Sequence, residues 1–374
     1  MTKKDKNPNI SRRLAFFIPE LYGGGAQRVM LNLAAGLVGK GYPVDLVVVT
    51  AAGPYLSEVP EGVRLVDLKS KGVLVSLPEL INYIRREKPT VLLSSLHANI
   101  IALWAKRLAG YQLRVIVCQH DTFSITSTQR AGFKKRILTQ LVKYFYPWAD
   151  GIVAVSKGVA DILSQVSGIP HKNIHVIHNP IITPEMQQKT IEPLAHPWFK
   201  LGQPPVLISV GSLCKRKDFS TLIQAFARVR ETRLLHLIVL GEGNERPALE
   251  ALVKKLNIEQ DVSLPGFVLN PYSIMKHASV FALSSRAEGL PTVLVEAMYC
   301  GIPVISTDCP SGPREILADG KYGQLVPVGD VDSLTQAIIK ALNGDAPYPS
   351  TESWLSYDQG IVTEQYIDFL LEGE

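Results

Sequence analysis

The sequence predicts an α/β protein of two doubly wound domains, and three observations carry that prediction. Short apolar, β-branched runs alternate with longer helical patterns, the alternation breaks off at a Pro-containing stretch (179–205), and it then starts again. A chain of 374 residues is long for one domain and suits two of ordinary size.

In the first half the strand-like runs fall at 14–18, 44–50, 63–68, 91–95, 115–119, 152–156 and 174–177, most of them apolar enough to be buried on both faces of a sheet. Helical patterns at 26–40, 77–87, 98–108 and 158–166 lie between them, which implies a parallel sheet with helices on both faces. The second half repeats the grammar with strands at 206–210, 236–240, 262–264, 280–283 and 303–306. The boundaries that follow are a first domain over 1–190, a linker over 191–204, a second domain over 205–345, and a final segment over 346–374. In that segment the amphipathic pattern 352–371 reads as a closing helix that packs back on the first domain.

With 46% hydrophobic and 20% charged residues the chain has apolar surface for real cores and none of the bias of disorder. Cys118, Cys214, Cys300 and Cys309 show no paired metal spacing and no disulfide framework, which suits a reducing cytoplasm. The apolar run after the basic start, 14–18, is too short for a signal segment, and nothing approaches a transmembrane span. Charge is uneven: residues 1–190 hold 24 Lys and Arg against 12 Asp and Glu, whereas the remainder is net acidic. A basic first half suits an anionic partner such as a lipid surface, a phosphorylated acceptor or nucleic acid; ordinary solvated charge is the plain alternative.

Five places can carry chemistry. Gly23, Gly24 and Gly25 follow the first strand and open the helix that bears Arg28, a turn that presents backbone N–H groups to an anion. A dinucleotide fingerprint is ruled down, because no GxGxxG is present and Asp45 starts the second strand instead of ending it. Gln119-His120-Asp121 ends the fifth strand, on the edge where open α/β sheets bind ligands, and His120 can contact or polarise a reacting group there. In the second half, Gly211-Ser212-Leu213-Cys214-Lys215-Arg216-Lys217-Asp218 puts three cations beside a strand's carboxyl end, where they can neutralise a diphosphate.

The segment from Ser285 to Ala297 is the most informative. Glu288 lies in a loop, Pro291 sits near the first position of a helix, and the N–H groups of Gly289, Leu290, Pro291's neighbours and Thr292 can hold a phosphate. Glu296 lies one to two turns inside the helix, so the two acids can grip different parts of one elongated ligand. Glu-x7-Glu by itself is common, and Glu296 as a plain surface acid is the bland reading. Finally, over 129–148, Lys134, Lys135, Arg136 and Lys143 intersperse with apolar residues as a basic amphipathic helix, a type that lies on anionic lipid or, more often, buries its apolar face in its own domain.

Together these motifs resemble the large retaining glycosyltransferase family four, over nearly the whole chain. The resemblance implies the GT-B fold, two facing Rossmann-like doubly wound domains with a C-terminal closing helix. Gly24 to Arg28 with Asn32-Leu33-Ala34 is similar to the family's glycine loop and first helix, with Gln27 where glutamate is usual, so Gly24 and Gly25 are implied at the donor phosphates or acceptor. His120 falls where the family places an active-site histidine near the donor sugar. Gly211 to Lys217 resembles Gly-Arg-Leu-x-x-x-Lys, which gives Lys217 the diphosphate; Ser212 replaces the arginine, leaving Lys215 or Arg216 to supply a cation. Gly241 and, through backbone contacts, Phe267 and Val268 resemble the loops that line the base, while Glu288 is implied at the sugar or catalytic face and Glu296 on the ribose. Ser311-Gly312-Pro313-Arg314-Glu315 is similar to members that build bacterial surface polysaccharides.

What this implies is transfer of a hexose or N-acetylhexosamine from a nucleotide sugar, UDP-linked by preference, to a glycan or lipid-linked acceptor, with domain closure excluding water. The expectation includes no metal and no other cofactor, since no Asp-x-Asp motif is assigned to a metal, and a cytoplasmic protein, peripheral on the inner membrane face, with no nucleic acid. The rivals are a nucleotide-sugar epimerase of the same architecture, an inactive scaffold, phosphorylase-like chemistry on a pyridoxal phosphate lysine, and an oligonucleotide-binding protein.

Overall fold

The computed structural model describes residues 12–22, 24–120, 132–194 and 196–372. The chain divides into two compact units, residues 1–180 with 359–374, and residues 181–358. The passage between them lies at Pro180, ahead of the stretch read as linker, so residues 191–204 belong wholly to the second unit.

The first unit is a seven-stranded parallel sheet of β1 (Leu14–Ile18), β2 (Val44–Val48), β3 (Val63–Asp67), β4 (Val91–Ser95), β5 (Arg114–Gln119), β6 (Gly151–Ala154) and β7 (His175–Val176), in the order β3-β2-β1-β4-β5-β6-β7. Every residue of β1, β2 and β4 is buried, as strands covered by helices on both faces require, whereas the edge strand β3 is only half-buried. The helices are α1 (Gly25–Gly39), α2 (Leu77–Glu87), α3 (Asn99–Ala109), α4 (Gly132–Phe145) and α5 (Lys157–Ser167). Their ends are chemically marked. The Ser156 hydroxyl accepts from the Val159 N–H to open α5, and Gly168, at φ 73°, closes it in the left-handed conformation a glycine adopts without cost.

The second unit begins with α6 (Pro184–Thr190), capped by Thr183, and continues into a six-stranded parallel sheet. Its strands are β8 (Val206–Val210), β9 (His236–Leu240), β10 (Val262–Gly266), β11 (Val280–Leu283), β12 (Val304–Thr307) and β13 (Gln324–Val326), ordered β10-β9-β8-β11-β12-β13. The helices are α7 (Phe219–Arg230), α8 (Arg246–Lys255), α9 (Tyr272–His277), α10 (Thr292–Tyr299), α11 (Pro313–Ile316), α12 (Val331–Leu342) and α13 (Glu352–Leu355). Leu207, Leu222, Phe226, Leu237, Val280 and Leu334 join one buried cluster under α7 and α12, each such side chain contributing about 1.5–3 kcal/mol.

Two features depart from expectation. β13 has no counterpart among the predicted strands. The closing pattern 352–371 is not one helix: α13 ends at Leu355, and α14 (Gln359–Leu370) starts anew after Tyr357, whose carbonyl accepts from the N–H groups of Ile181 and Ile182 at 2.9 and 3.0 Å. The break is also where the chain leaves the second unit, because α14 packs on α1 in the first.

α14 is held in the first unit by close fit. A Cβ on Gly36 would stand 2.2 Å from Thr363 Oγ1, and one on Gly151 would stand 2.7 Å from the Phe369 ring, so both glycines exist for that approach. Tyr366 is buried with its hydroxyl 3.6 Å from the Cys118 sulfur, and Arg114 donates to the Phe369 carbonyl at 3.1 Å.

Candidate functional site

Both sheets reverse strand order at one point, between β1 and β4 in the first unit and between β8 and β11 in the second. There the loops leaving the carboxyl ends diverge to opposite faces, which opens the crevice where such sheets take ligands.

In the second unit, the loops flanking this point are those of Lys217 and Glu288. Glu288 is 6% exposed and both its oxygens are taken: Oε1 accepts from Lys217 Nζ at 2.6 Å and from Ser285 Oγ at 2.6 Å, and Oε2 pairs with Arg216 Nη1 at 3.1 Å. Burial pushes its pKa up, but the charges of Lys217 and Arg216 and the two hydrogen bonds outweigh that, and the carboxyl is held below the usual carboxylate range. The loops are also sewn together by backbone, since Arg286 N–H donates to the Arg216 carbonyl and Ser284 Oγ to the Lys217 carbonyl, both at 2.8 Å. Ser212 is exposed.

The turn before α10 is braced from behind. Gly289 carbonyl accepts from Ser311 Oγ at 2.9 Å, and Gly312, at φ 86°, lies so close that a Cβ would come within 2.6 Å of Pro291. Leu290 is buried; Pro291 is the helix N-cap instead of its first residue, and Thr292 starts the helix. Glu296, in the second turn, is only 5% exposed, which removes its reading as a surface acid. Burial and the Glu296 charge push the Cys300 thiol up to about 12, so it stays protonated.

The proposed base loops abut the same point. Gly211 N–H donates to the Leu240 carbonyl at 2.9 Å, and Gly241 N–H to the Gly266 carbonyl at 2.8 Å, linking three strand ends. A Cβ on Gly241 would sit 2.0 Å from the Gly211 carbonyl oxygen, so no other residue fits. Beyond Gly266, Phe267 is exposed and Val268 half-buried.

In the first unit, Gly24 is the N-cap of α1, at φ 142°, and Gly25 its first residue; with no acid in the first turn, this end keeps its affinity for an anion. Gly23 lies outside the described residues. Arg28 is braced by Tyr55, whose hydroxyl accepts from its Nε at 3.2 Å and whose ring lies 4.6 Å below the guanidinium. His120 is 8% exposed, and neither ring nitrogen has a hydrogen-bond partner among the described residues. Burial lowers its pKa to about 4, so at neutral pH it is uncharged, with one donor and one acceptor to offer. Asp121 lies outside the described residues.

The residue before His120 is positioned by a buried chain the sequence did not reveal. Gln119 Oε1 accepts from the Tyr146 hydroxyl at 2.9 Å, that hydroxyl accepts from Asn99 at 3.0 Å, and Asn99 in turn accepts from Ser94 Oγ at 2.7 Å. The bracing roles of Ser285, Thr307 and Ser311 escape the sequence for a related reason. A hydroxyl that donates to a neighbouring loop, as that of Thr307 at the end of β12 does to the Ser285 carbonyl at 2.5 Å, carries no spacing signal.

Other candidates prove structural. Asp45, the acid weighed against a dinucleotide role, is fully buried and held by Arg13 at 2.7 Å, by Arg64 and by the Tyr83 hydroxyl at 2.6 Å, and its pKa is lowered although burial opposes it. One Asp-x-Asp triplet does occur, Asp330-Val331-Asp332, and it is a helix start: Asp330 caps α12 through the Ser333 N–H at 3.0 Å, and Asp332 pairs with Arg228. Lys143 is exposed near the end of α4, while the side chains of Lys134, Lys135 and Arg136 lie outside the described residues. Trp104, Phe145 and Trp148 form an aromatic cluster beside Lys143's turn, with centroids 4.8–5.5 Å apart.

Comparison with known proteins joins these observations. Residues 23–184 match the family described as Glycosyltransferase Family 4, and residues 192–356 match Glycosyl transferases group 1. The chain is 32% identical over 345 residues, 89% of this chain and 91% of the other, to the N-acetylgalactosamine-N,N'-diacetylbacillosaminyl-diphospho-undecaprenol 4-alpha-N-acetylgalactosaminyltransferase of Campylobacter jejuni. Among solved structures, the lipopolysaccharide outer core galactosyltransferase WaaB in its apo form aligns at a TM-score of 0.69, with 20% identity over 95% of this chain and 98% of that one. Anabaena HepE, solved in complex with UDP-glucose, aligns at 0.74, with 18% identity over 96% and 99%. Those two likenesses concern the fold, two parallel Rossmann-like sheets; with the sequence matches they establish that the chain is a glycosyltransferase of family 4 with the GT-B fold.

Proposed function

We propose that the protein moves a hexose or N-acetylhexosamine from a nucleotide sugar, UDP-linked by preference, to a glycan or lipid-linked acceptor in cell-surface polysaccharide synthesis, with retention at the anomeric carbon and without metal or other cofactor. The observation that carries the reading is the pair of cations, Lys217 and Arg216, on buried Glu288 at the strand-order reversal of the second unit. Support for the donor comes from Anabaena HepE, solved with UDP-glucose, and for a lipid-linked acceptor from the Campylobacter relative, whose name contains diphospho-undecaprenol.

In this reading the diphosphate lies over Lys217 and the turn from Gly289 to Thr292, and Glu296 takes the ribose. Gly241, Phe267 and Val268 line the base. As the bond from anomeric carbon to phosphate oxygen breaks, its electron pair passes to the diphosphate, whose added charge the cations and the helix N-terminus stabilise. The acceptor hydroxyl forms the new bond, and its proton passes to the departing diphosphate oxygen. His120, uncharged, hydrogen-bonds the reacting sugar, Glu288 serves its catalytic face, and Gly24 and Gly25 serve the donor phosphates or acceptor. No helix among the described residues is long and apolar enough to cross a membrane. The basic first half and the α4 region with Lys143 support a cytoplasmic protein peripheral on an anionic membrane face.

The test is titration calorimetry with UDP, GDP and their common sugars without added metal, on intact protein, Lys217→Ala and Glu296→Ala. Micromolar binding of one nucleotide, lost in both variants, is expected. Absence of binding to every nucleotide would overturn the donor site and favour an inactive scaffold, and sugar interconversion without acceptor would favour an epimerase.

A further inference from the structure

We propose that the first unit carries a second ligand site, for a phosphorylated saccharide, on the edge of its sheet opposite His120, and that Tyr146 links the two. The site does not depend on the donor reading. The end of α4, the amino ends of β6 and β7 and the turn after α5 enclose a cleft of 760 Å³, an ordinary size for a small-molecule site.

The charges lining the cleft are unbalanced. Its acid, Asp150, is already met from outside: both oxygens lie 2.6 Å from Lys106 Nζ, and one also accepts from the Val115 N–H at 2.6 Å. Its lysines, Lys143 and Lys172, are exposed and make no hydrogen bond or ion pair among the described residues, nor does the side-chain amide of Asn173. Two ammonium groups suit a phosphate as point charges, and the amide suits hydroxyls. At the base, Ile152 and Ile169 are 5% and 7% exposed, so an acyl chain finds no apolar seat. The backbone there is satisfied, because the Ile169 carbonyl accepts from Ser164 Oγ at 2.7 Å and its N–H donates to Ser167 Oγ at 3.1 Å. The exposed rings of Pro147 and Pro170 offer flat faces to a sugar.

Tyr146 belongs to both edges. It lines the cleft, and its buried hydroxyl donates to Gln119 Oε1 at 2.9 Å while accepting from Asn99 at 3.0 Å. Gln119 is bonded to His120, so an occupant that presses on the Tyr146 ring bears on the backbone that presents His120.

Nuclear magnetic resonance of isotope-labelled histidine rings tests this, with His175 as reporter in the cleft and His120 at the far edge, each assigned by its Gln variant. Glucose 6-phosphate is expected to shift both resonances saturably, free glucose neither, and inorganic phosphate to bind about tenfold more weakly. Lys143→Ala and Lys172→Ala should each weaken the effect by about tenfold and lower its salt dependence, whereas Lys217→Ala should leave it intact. Tyr146→Phe should keep the His175 shift and lose that of His120; Gln119→Met, which cuts the same bond, replaces it if Tyr146→Phe does not fold. No His175 shift, a shift that survives both lysine variants, or one lost in Lys217→Ala overturns the site. Equal binding of inorganic phosphate, or shifts with phosphatidylglycerol vesicles in place of glucose 6-phosphate, overturns the ligand class. A His120 resonance that stays still while His175 moves, or moves equally in Tyr146→Phe, overturns the link.

Discussion

At the scale of single residues, His120 and Glu288 show burial acting with opposite results. Glu288 keeps its charge because two cations and a hydroxyl meet it, whereas His120, with no partner among the described residues, loses its charge and titrates at about 4. Since the unfolded histidine titrates near 6.5, protonation favours unfolding. His120 thus contributes its full stability above about pH 6.5, loses it progressively as pH falls toward 4, and changes little below that. The span corresponds to about 3 kcal/mol at most. Urea unfolding at pH 7.5 and 4.5 should show that loss in intact protein and much less of it in His120→Gln; equal losses would refute it. Glu288, held low, contributes its stability above about pH 4.5 and loses it as pH falls below that. Within the second unit the sequence names Lys217 and Glu288, which the fold brings together, and Gly241, which packs against Gly211; within the first it names Gly24, the N-cap of α1. The hydroxyl braces Thr307 and Ser311 and the Asn99–Tyr146–Gln119 chain were not legible, because each joins segments far apart in sequence, and Ser285, which donates to Glu288 three residues on, lies within a segment whose pattern assigns its hydroxyl no role.

At the scale of elements, the strands and helices that alternate cleanly in apolar pattern appear within about two residues of where the sequence puts them, as β8, β9 and α2 show. The exceptions have local causes. β13 has three residues on the sheet edge, too short a run to stand out. The break before α14 contains no proline; Tyr357 interrupts the helix because its carbonyl serves Ile181 and Ile182, which no local pattern displays. The seat of α14 on α1 rests on Gly36. Gly36→Ala would force its methyl into Thr363 and should cost about 1–3 kcal/mol, the usual range for overpacking. Thr363→Ala in that background should return most of it, since the clash is with that side chain. Thermal unfolding of the double-mutant set checks this, and additive effects would count against it.

At the scale of the whole molecule, the second unit is an uninterrupted stretch, 181–358, set between two parts of the first. Composition and the restart of the strand pattern announced two α/β domains, but the crossing at Pro180 left no mark, because Asn179 and Pro180 lie within a longer Pro-containing stretch. α14 buries Val362, Tyr366, Phe369 and Leu370. At about 1.5–3 kcal/mol each, these approach the whole stability of a typical domain, about 5–15 kcal/mol. A chain ended at Asp358 should therefore be insoluble or lack hydrogen-exchange protection in β1, β4 and β5; native-like protection there would disprove the dependence. During synthesis this arrangement inverts the usual order of events. The half translated first stays open, with its apolar sheet face uncovered, until residues 359–372 clear the ribosome, while the later half can close as soon as it emerges. A premature stop in the last helix would then disable the part of the enzyme made longest before it.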